Sequence, residues 1–163
     1  MNESRLKKTN AARQLDEQHI VYDLLTYQVD ESDLSAPTVA QKIGLEAAQT
    51  FKTLVVRGDR TGVMLACLPG DAELDLKALA RCSGDKKVDV VPLKEVQALT
   101  GYIRGGVSPL GLSRPYPIYL DELALVYERI AVSAGIRGLQ LYLNPEDLKH
   151  ATRAHWGEFS IYR

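Results

Sequence analysis

Three places along the chain combine residue types that could carry chemistry. The first is Lys52, inside the apolar run Phe51-Lys52-Thr53-Leu54-Val55-Val56. A lysine there either emerges on a solvent face, the usual outcome, or is aimed into a cleft as a fixed cation or an amine of lowered pKa. The second is the glycine-rich stretch Gly105-Gly106-Val107-Ser108-Pro109-Leu110-Gly111. Such a stretch lets backbone approach something closely, whether a structural turn or a ligand. The third is Val132-Ser133-Ala134-Gly135-Ile136-Arg137-Gly138. It reads as strand–turn–strand, or as a hydroxyl and a set of amides suited to an oxyanion or a carbonyl.

Other chemistries lack their residues. The three histidines are His19, His150 and His155, and the last two are five apart, wrong for one helical face. The two cysteines, Cys67 and Cys82, lie fifteen apart with no second pair. Zinc needs four ligands, or three and a water, at recognisable spacing, so no metal site is expected. There is no G-x-S-x-G nucleophile elbow, and no Lys-Ser/Thr follows the glycines as in a phosphate-binding loop. Cys67 falls in an apolar strand, where a free cysteine acts as a small hydrophobe.

The whole chain narrows the classes further. It has 163 residues, 45% hydrophobic and 25% charged, with 20 Lys+Arg against 21 Asp+Glu. That profile fits one soluble globular domain spanning 1–163, and it argues against a globally basic nucleic-acid binder. Two cysteines make no disulfide scaffold, no apolar run approaches the roughly 18 residues of a membrane span, and Met1 to Arg13 carries no apolar signal core. A cytoplasmic location is the simplest expectation.

These residues must be positioned by elements that the pattern also predicts. A helix is expected over Lys8–Gln18, capped by Thr9 or Asn10, with a stripe of Leu6, Ala11, Ala12, Leu15 and His19 beside the basic Arg5, Lys7, Lys8 and Arg13. A strand follows over Ile20–Val29, then a helix from Ser35 to Ile43 with Pro37 in its first turn and Gly44 closing it. Phe51–Arg57 and Val63–Leu68 read as a hairpin around Gly58–Gly62. After the acidic loop Gly70–Asp75 come a helix over Leu76–Cys82, a strand over Lys87–Val91 and a helix from Pro92 to Leu99. Tyr102–Pro117 holds too many glycines and prolines for regular structure, and so long a loop is often functional. Strands are expected at Ile118–Leu120, Ile130–Ser133 and Leu139–Leu143. A helix begins at Asn144-Pro145-Glu146-Asp147 and runs to about Thr152, and the tail from Ala154 has no clear reading. The irregular interleaving predicts an α+β domain with a mixed sheet.

Taken in order, four segments resemble a known family. They are Phe51-Lys52-Thr53-Leu54-Val55, Pro69-Gly70-Asp71-Ala72-Glu73-Leu74-Asp75, the Gly105–Gly111 stretch, and Ser133-Ala134-Gly135-x-Arg137-Gly138. Thr9–Arg13 and the Tyr22–Tyr27 strand match as well. The chain is similar, over about residues 9–152, to the YbaK/EbsC aminoacyl-tRNA deacylases of the prolyl-tRNA synthetase editing-domain superfamily.

The resemblance implies a mixed, partly barrel-like sheet flanked by helices and a free-standing enzyme that removes cysteine from mischarged Cys-tRNA(Pro), less selectively from Cys-tRNA(Cys). It implies no metal or organic cofactor. The implied partners are the acceptor end of tRNA(Pro) and, transiently, prolyl-tRNA synthetase, with no membrane or DNA. Lys52 aligns with the lysine on which the family depends. The substrate's own thiol would attack its ester carbonyl, with Lys52 holding the terminal phosphate or the carbonyl region. Amides near Gly105 and Gly106 would bind the carbonyl oxygen or the ribose. Ser133 and Gly135 would line the amino-acid pocket, Tyr22 would pack on the terminal base, and Asp71 would cap the following helix. One position departs: some relatives carry an acid two residues after the second glycine of the Ser-x-Gly-x-Arg-Gly motif, where this chain has Gln140. Editing of another small residue, as in Ala-tRNA(Pro), and a non-catalytic tRNA- or synthetase-binding module are the alternatives.

Overall fold

A computed structural model describes residues 8–163, so the expected parts played by Arg5, Leu6 and Lys7 lie outside it. Along the chain run α1 (Asn10–Glu17), β1 (Asp23–Thr26), α2 (Ala36–Ile43), β2 (Phe51–Gly58), β3 (Gly62–Pro69), β4 (Glu73–Leu74), α3 (Leu76–Ser83) and β5 (Val88–Val90). They are followed by α4 (Leu93–Thr100), β6 (Ile118–Asp121), β7 (Ile130–Ser133), β8 (Leu139–Leu143), α5 (Pro145–Thr152), β9 (His155–Gly157) and β10 (Ser160–Ile161). Short 3-10 helices occupy Ala47–Gln49 and Glu122–Val126. Among the described residues no helix is long and apolar enough to cross a membrane.

The β2–β3 hairpin is the spine, in antiparallel register from Phe51↔Pro69 to Gly58↔Gly62. It sits inside a mixed five-stranded sheet of order β5-β2-β3-β6-β9, in which β3–β6 and β6–β9 are parallel. Alternation along the strands divides the core between its two faces. Leu65, Cys67, Ile118 and Leu120 face the larger cluster, which takes in α1, α5 and the three-stranded antiparallel sheet β1-β8-β7. Met64, Ala66, Leu68 and Tyr119 face the smaller cluster under α3, closed by Phe159. The two sheets meet at one parallel bridge, Thr50↔Ala131, and do not close. The mixed α+β expectation therefore holds, with its partly barrel-like character reduced to this seam.

Local signals place the helices. Thr9 Oγ1 accepts the Ala12 N–H at 3.2 Å, Asp75 Oδ1 accepts that of Ala78 at 3.0 Å, and Asn144 Oδ1 accepts those of Glu146 and Asp147 at 2.9 and 3.2 Å. Asp75, not Asp71, thus caps α3, while Asp71 Oδ1 accepts the Tyr162 hydroxyl at 2.9 Å.

Four expectations change. The Ile20–Val29 strand shrinks to Asp23–Thr26, because only those residues find partners on β8. His19 leaves the apolar stripe, since α1 ends before it and it lies exposed at φ 57°. Part of the acidic loop becomes β4, which pairs with β10 of the tail. That tail is ordered by Asp121, whose Oδ2 accepts the Phe159 N–H at 3.0 Å and the Ser160 hydroxyl at 2.7 Å.

Candidate active site

The site grows out of an unpaired length of strand edge. One edge of β2 is fully used by β3. On the other, Thr50 just before the strand bridges to β7, and the Val91 N–H donates to the Val55 carbonyl at 2.9 Å where β5 begins to pair. Between these points Lys52, Thr53 and Leu54 meet no strand. Main-chain groups alternate between the two edges of a strand, so those of Thr53 point the same way as those of Val55, into the gap.

A cavity of about 410 Å³ fills that gap. Consecutive residues Phe51 to Val55 line it, as an edge permits and a strand face does not. The other walls are the start of α2 (Ser35, Ala36, Val39), the β5–α4 corner (Val90, Val91, Leu93, Val96), Arg104, Gly105 and Val107 of the long loop, and Ser133 and Gln140 from β7 and β8. The lining is largely apolar. Among the described residues it includes hydroxyls, one amide and two cationic side chains, but no carboxylate, imidazole or thiol.

Lys52 is half-buried, so the cleft alternative describes it better than the solvent face. Its Nζ donates to the Ala72 carbonyl at 2.5 Å and to the Gly70 carbonyl at 3.4 Å. An ammonium has three donors, so one remains for a ligand. Burial pushes its pKa below the usual lysine value, and the charges of Asp71 and Glu73 partly oppose this. The loop that holds it is itself tightly packed. A Cβ on Gly70 would stand 2.5 Å from the Thr50 carbonyl oxygen and 2.7 Å from the Ala36 Cβ, so only glycine fits.

Of the other expected site residues, Gly105 and Ser133 line the cavity. Gly106 and Gly135 stand behind them. The Gly106 N–H is already donated to the Ile103 carbonyl at 2.9 Å, and the Gly135 N–H to Ser133 Oγ at 3.1 Å. Both amides are thus engaged within their own turns. These glycines instead let two loops touch: a Cβ on Gly106 would lie 3.4 Å from the Gly135 carbonyl oxygen, and one on Gly135, at φ +100°, 2.9 Å from the Tyr102 ring. Arg137 Nε locks the same pair by donating to the Arg104 carbonyl at 2.8 Å. Tyr22 does not line the cavity. Its hydroxyl donates to Asp16 Oδ1 at 2.9 Å, and burial together with that contact raises its pKa to about 12.

Neither cysteine reaches the cavity. Cys67 is buried against Thr53, with Sγ 3.6 Å from Oγ1, and burial pushes its thiol pKa up to about 12. Among the described residues no group of three or more His, Cys, Asp or Glu could hold a metal ion.

Sequence reasoning left out the Thr53 main chain, the α2 start and the β5–α4 corner, which only the tertiary fold brings together. It also left Gln140 without a role, although a lone amide inside Leu139-Gln140-Leu141-Tyr142-Leu143 was a visible signal. In the fold Gln140 is 5% exposed, and its Oε1 is buried with no hydrogen-bond partner.

Comparison with known proteins agrees with this geometry. The model of the aminoacyl-tRNA editing domain matches residues 31–151. The chain is 45% identical over 154 residues to an Enterococcus faecalis protein named "Putative Cys-tRNA(Pro)/Cys-tRNA(Cys) deacylase EbsC", covering 94% of each. Among solved structures it resembles the hypothetical protein APE2540, with a TM-score of 0.85 and 25% identity over 94% of this chain and 100% of that one. It also resembles a "putative trans-editing enzyme for prolyl tRNA synthetase", with a TM-score of 0.80 and 28% identity over 95% of this chain and 99% of that one. Both the residues that wall the cavity and the sheet seam that creates it fall largely within the matched span, and the chain belongs to the aminoacyl-tRNA editing domain family.

Proposed function

We propose that this protein is a trans-acting deacylase that clears cysteine from mischarged Cys-tRNA(Pro), and from Cys-tRNA(Cys), in the cytoplasm and in transient company with prolyl-tRNA synthetase. The observation that carries this reading is a half-buried lysine with a spare donor on a mostly apolar cavity whose described lining offers no carboxylate, imidazole or thiol. An aminoacyl ester needs little more than positioning and stabilisation of the charge that develops on its carbonyl oxygen.

The nucleophile then comes from the substrate. The cysteine sulfur attacks the ester carbonyl carbon, the bond from that carbon to the ribose oxygen breaks, and the thiol proton ends on the ribose hydroxyl. The products are a cyclic thiolactone and free tRNA. Lys52 directs its third N–H at the carbonyl oxygen or at the terminal phosphate. The Thr53 main-chain N–H on the unpaired strand edge supplies a second donor, in place of the Gly106 amide. Gly105 gives the ribose close access to backbone, and Ser133 lines the amino-acid pocket. The near-neutral net charge, −1, favours weak unaided tRNA affinity and action beside the synthetase.

The deciding experiment is single-turnover deacylation of Cys-tRNA(Pro) and Ala-tRNA(Pro) by the wild type and Lys52→Ala. Loss of cysteine alone, abolished in the variant, supports the thiol-assisted reading. Equal release of alanine requires an activated water instead, and release of neither moves the function to a binding module.

A further inference from the structure

Two carboxylates, Asp71 and Glu73, act by their charge on Lys52. Neither forms an ion pair with it. Among the described residues the ammonium is held by the Gly70 and Ala72 carbonyls and takes part in no salt bridge. Asp71 lies between those two residues and is exposed. A carboxylate so placed would swing onto the ammonium and take its third N–H unless another group held it, because a charge-assisted bond is stronger than a neutral one.

The tail supplies that group. Phe159 is buried in the cluster that holds Ala72, its carbonyl accepts the Asp75 N–H at 2.8 Å, and β10 pairs with β4 at Ser160↔Leu74 and Ile161↔Glu73. Antiparallel pairing carries the residues after Ile161 back along the loop towards Asp71. There the Tyr162 hydroxyl donates to Asp71 Oδ1 at 2.9 Å, and Arg163 Nε meets Glu73 Oε2 at 3.0 Å. Both carboxylates that act on Lys52 are therefore partnered by neighbouring tail residues. The other groups beside Tyr162 are committed elsewhere: Asp121 to the Leu123 and Phe159 N–H groups and the Ser160 hydroxyl, and Tyr127 to Glu46. Burial and the contact with Asp71 raise the Tyr162 pKa to about 12, so its hydroxyl remains a donor.

We propose that Tyr162 is a positioning residue which, with Arg163, withholds Asp71 and Glu73 from the Lys52 ammonium and so keeps its third N–H available to the substrate. The inference rests on the deacylase reading for what that donor does, and it extends the site to a tail that lines no part of the cavity. The two contacts are unequal. The Arg163–Glu73 pair is exposed at both ends and holds weakly, whereas Tyr162 secures the carboxylate that stands between the two anchoring carbonyls.

The test uses Tyr162→Phe, which keeps the ring and the β4–β10 pairing. It is made alone and together with Asp71→Asn, whose neutral amide forms no ion pair. Single-turnover release of cysteine from Cys-tRNA(Pro) should fall at least about fivefold in Tyr162→Phe. The double variant should return to within about twofold of Asp71→Asn alone. In labelled-lysine NMR the Lys52 titration should move to higher pH in Tyr162→Phe, as the freed carboxylate pairs with it, and should not move when the same change is made in Asp71→Asn. A fall in rate or an upward move that persists without the Asp71 carboxylate would mean that the loop had only opened to solvent, and would overturn the proposal. So would an unchanged rate or an unchanged titration in Tyr162→Phe. A wild type that releases no cysteine fails differently: it removes the deacylase reading, while the titration still decides whether Tyr162 withholds Asp71.

Discussion

Replacing Lys52 by Met probes the one fixed cation at the unpaired edge of β2. Methionine keeps the unbranched stem and removes the ammonium. The structure sets the size of the effect. Two of the three N–H donors are held by the Ala72 and Gly70 carbonyls at 2.5 and 3.4 Å, so the third has a defined direction and costs little reorganisation. A unit charge about 4 Å from a developing oxyanion contributes about 4 kcal/mol at an effective dielectric of 20. Removing one preorganised donor from such a site costs roughly 10²- to 10³-fold in rate. We expect a fall of that size in single-turnover deacylation of Cys-tRNA(Pro), read with protein in excess over labelled substrate. Lys52→Arg, whose longer planar group moves the charge outward, should remain at least about tenfold below wild type. Thermal unfolding of both variants should stay within a few degrees of wild type, because the lysine is only half-buried and its charge is disfavoured by that burial. A Met variant that keeps a third of the wild-type rate would refute the assignment, since no fixed cation would then be acting on the transition state.

Three further outcomes follow from other contacts. Burial lowers the Lys52 pKa while Asp71 and Glu73 raise it, so Asp71→Asn should move the Lys52 titration to lower pH in a labelled-lysine NMR experiment; an upward move would contradict the charge assignment. Gly70→Ala places a Cβ 2.5 Å from the Thr50 carbonyl oxygen and displaces the loop whose carbonyls anchor Lys52. Its deacylation rate should drop at least about tenfold together with its melting temperature. Asp85 is buried and clasps the hairpin turn: Oδ1 accepts the N–H groups of Arg60 and Thr61 at 2.7 Å, and Oδ2 accepts the hydroxyls of Thr61 and Ser83 at 2.7 and 2.5 Å. Burial pushes its pKa up, but these hydrogen bonds outweigh it and bring the pKa down to about 2 from 3.8. The stability it contributes is therefore fully present above pH 3.8 and lost as the pH falls through about 2. Asp85→Ala should cost on the order of 3 kcal/mol at pH 7, a fall of roughly 6 to 12 °C by calorimetry, and should flatten the acid limb of the stability curve.

Where local rules decide, the sequence was legible. The Phe51–Arg57 and Val63–Leu68 runs are short, apolar and joined by a glycine-bracketed turn, the glycines 44, 84 and 101 mark helix ends, and Asn144-Pro145 opens α5; each lies where it was expected. The site was legible only in part, because it is a property of what does not pair. Nothing local to Lys52-Thr53-Leu54 says that β5 starts pairing only beyond Val55 or that β7 touches only at Thr50. Those are facts about strands dozens of residues away. Gly106 shows a related effect: glycine permits an amide to face a ligand, but that this amide donates to Ile103 is set by the turn. Tyr22 had a matching residue type and neighbourhood in sequence, yet the shortened β1 leaves its hydroxyl with Asp16.

An apolar cavity of this size is a poor judge of small side chains. One methylene or one isosteric change is worth only about 1 to 3 kcal/mol in a hydrophobic pocket, which cannot protect a correctly charged tRNA that outnumbers the error. A wall with its own general base would make this worse, because any ester that reached it would be cut. The described wall has hydroxyls, an amide and cations but no carboxylate, imidazole or thiol, which suits it to stabilise the transition state of an attack that the substrate begins. Under the proposed reading selectivity is moved from binding to chemistry. Proline and alanine enter the same cavity and leave intact because they bring no nucleophile, while cysteine supplies the thiol that removes it. The reasoning predicts that a wild type challenged with serine on the same tRNA, similar in volume but with a far less acidic hydroxyl, releases it at least about a hundredfold more slowly than cysteine. Comparable rates for the two would mean that the wall activates a water, and that a base has been overlooked in it.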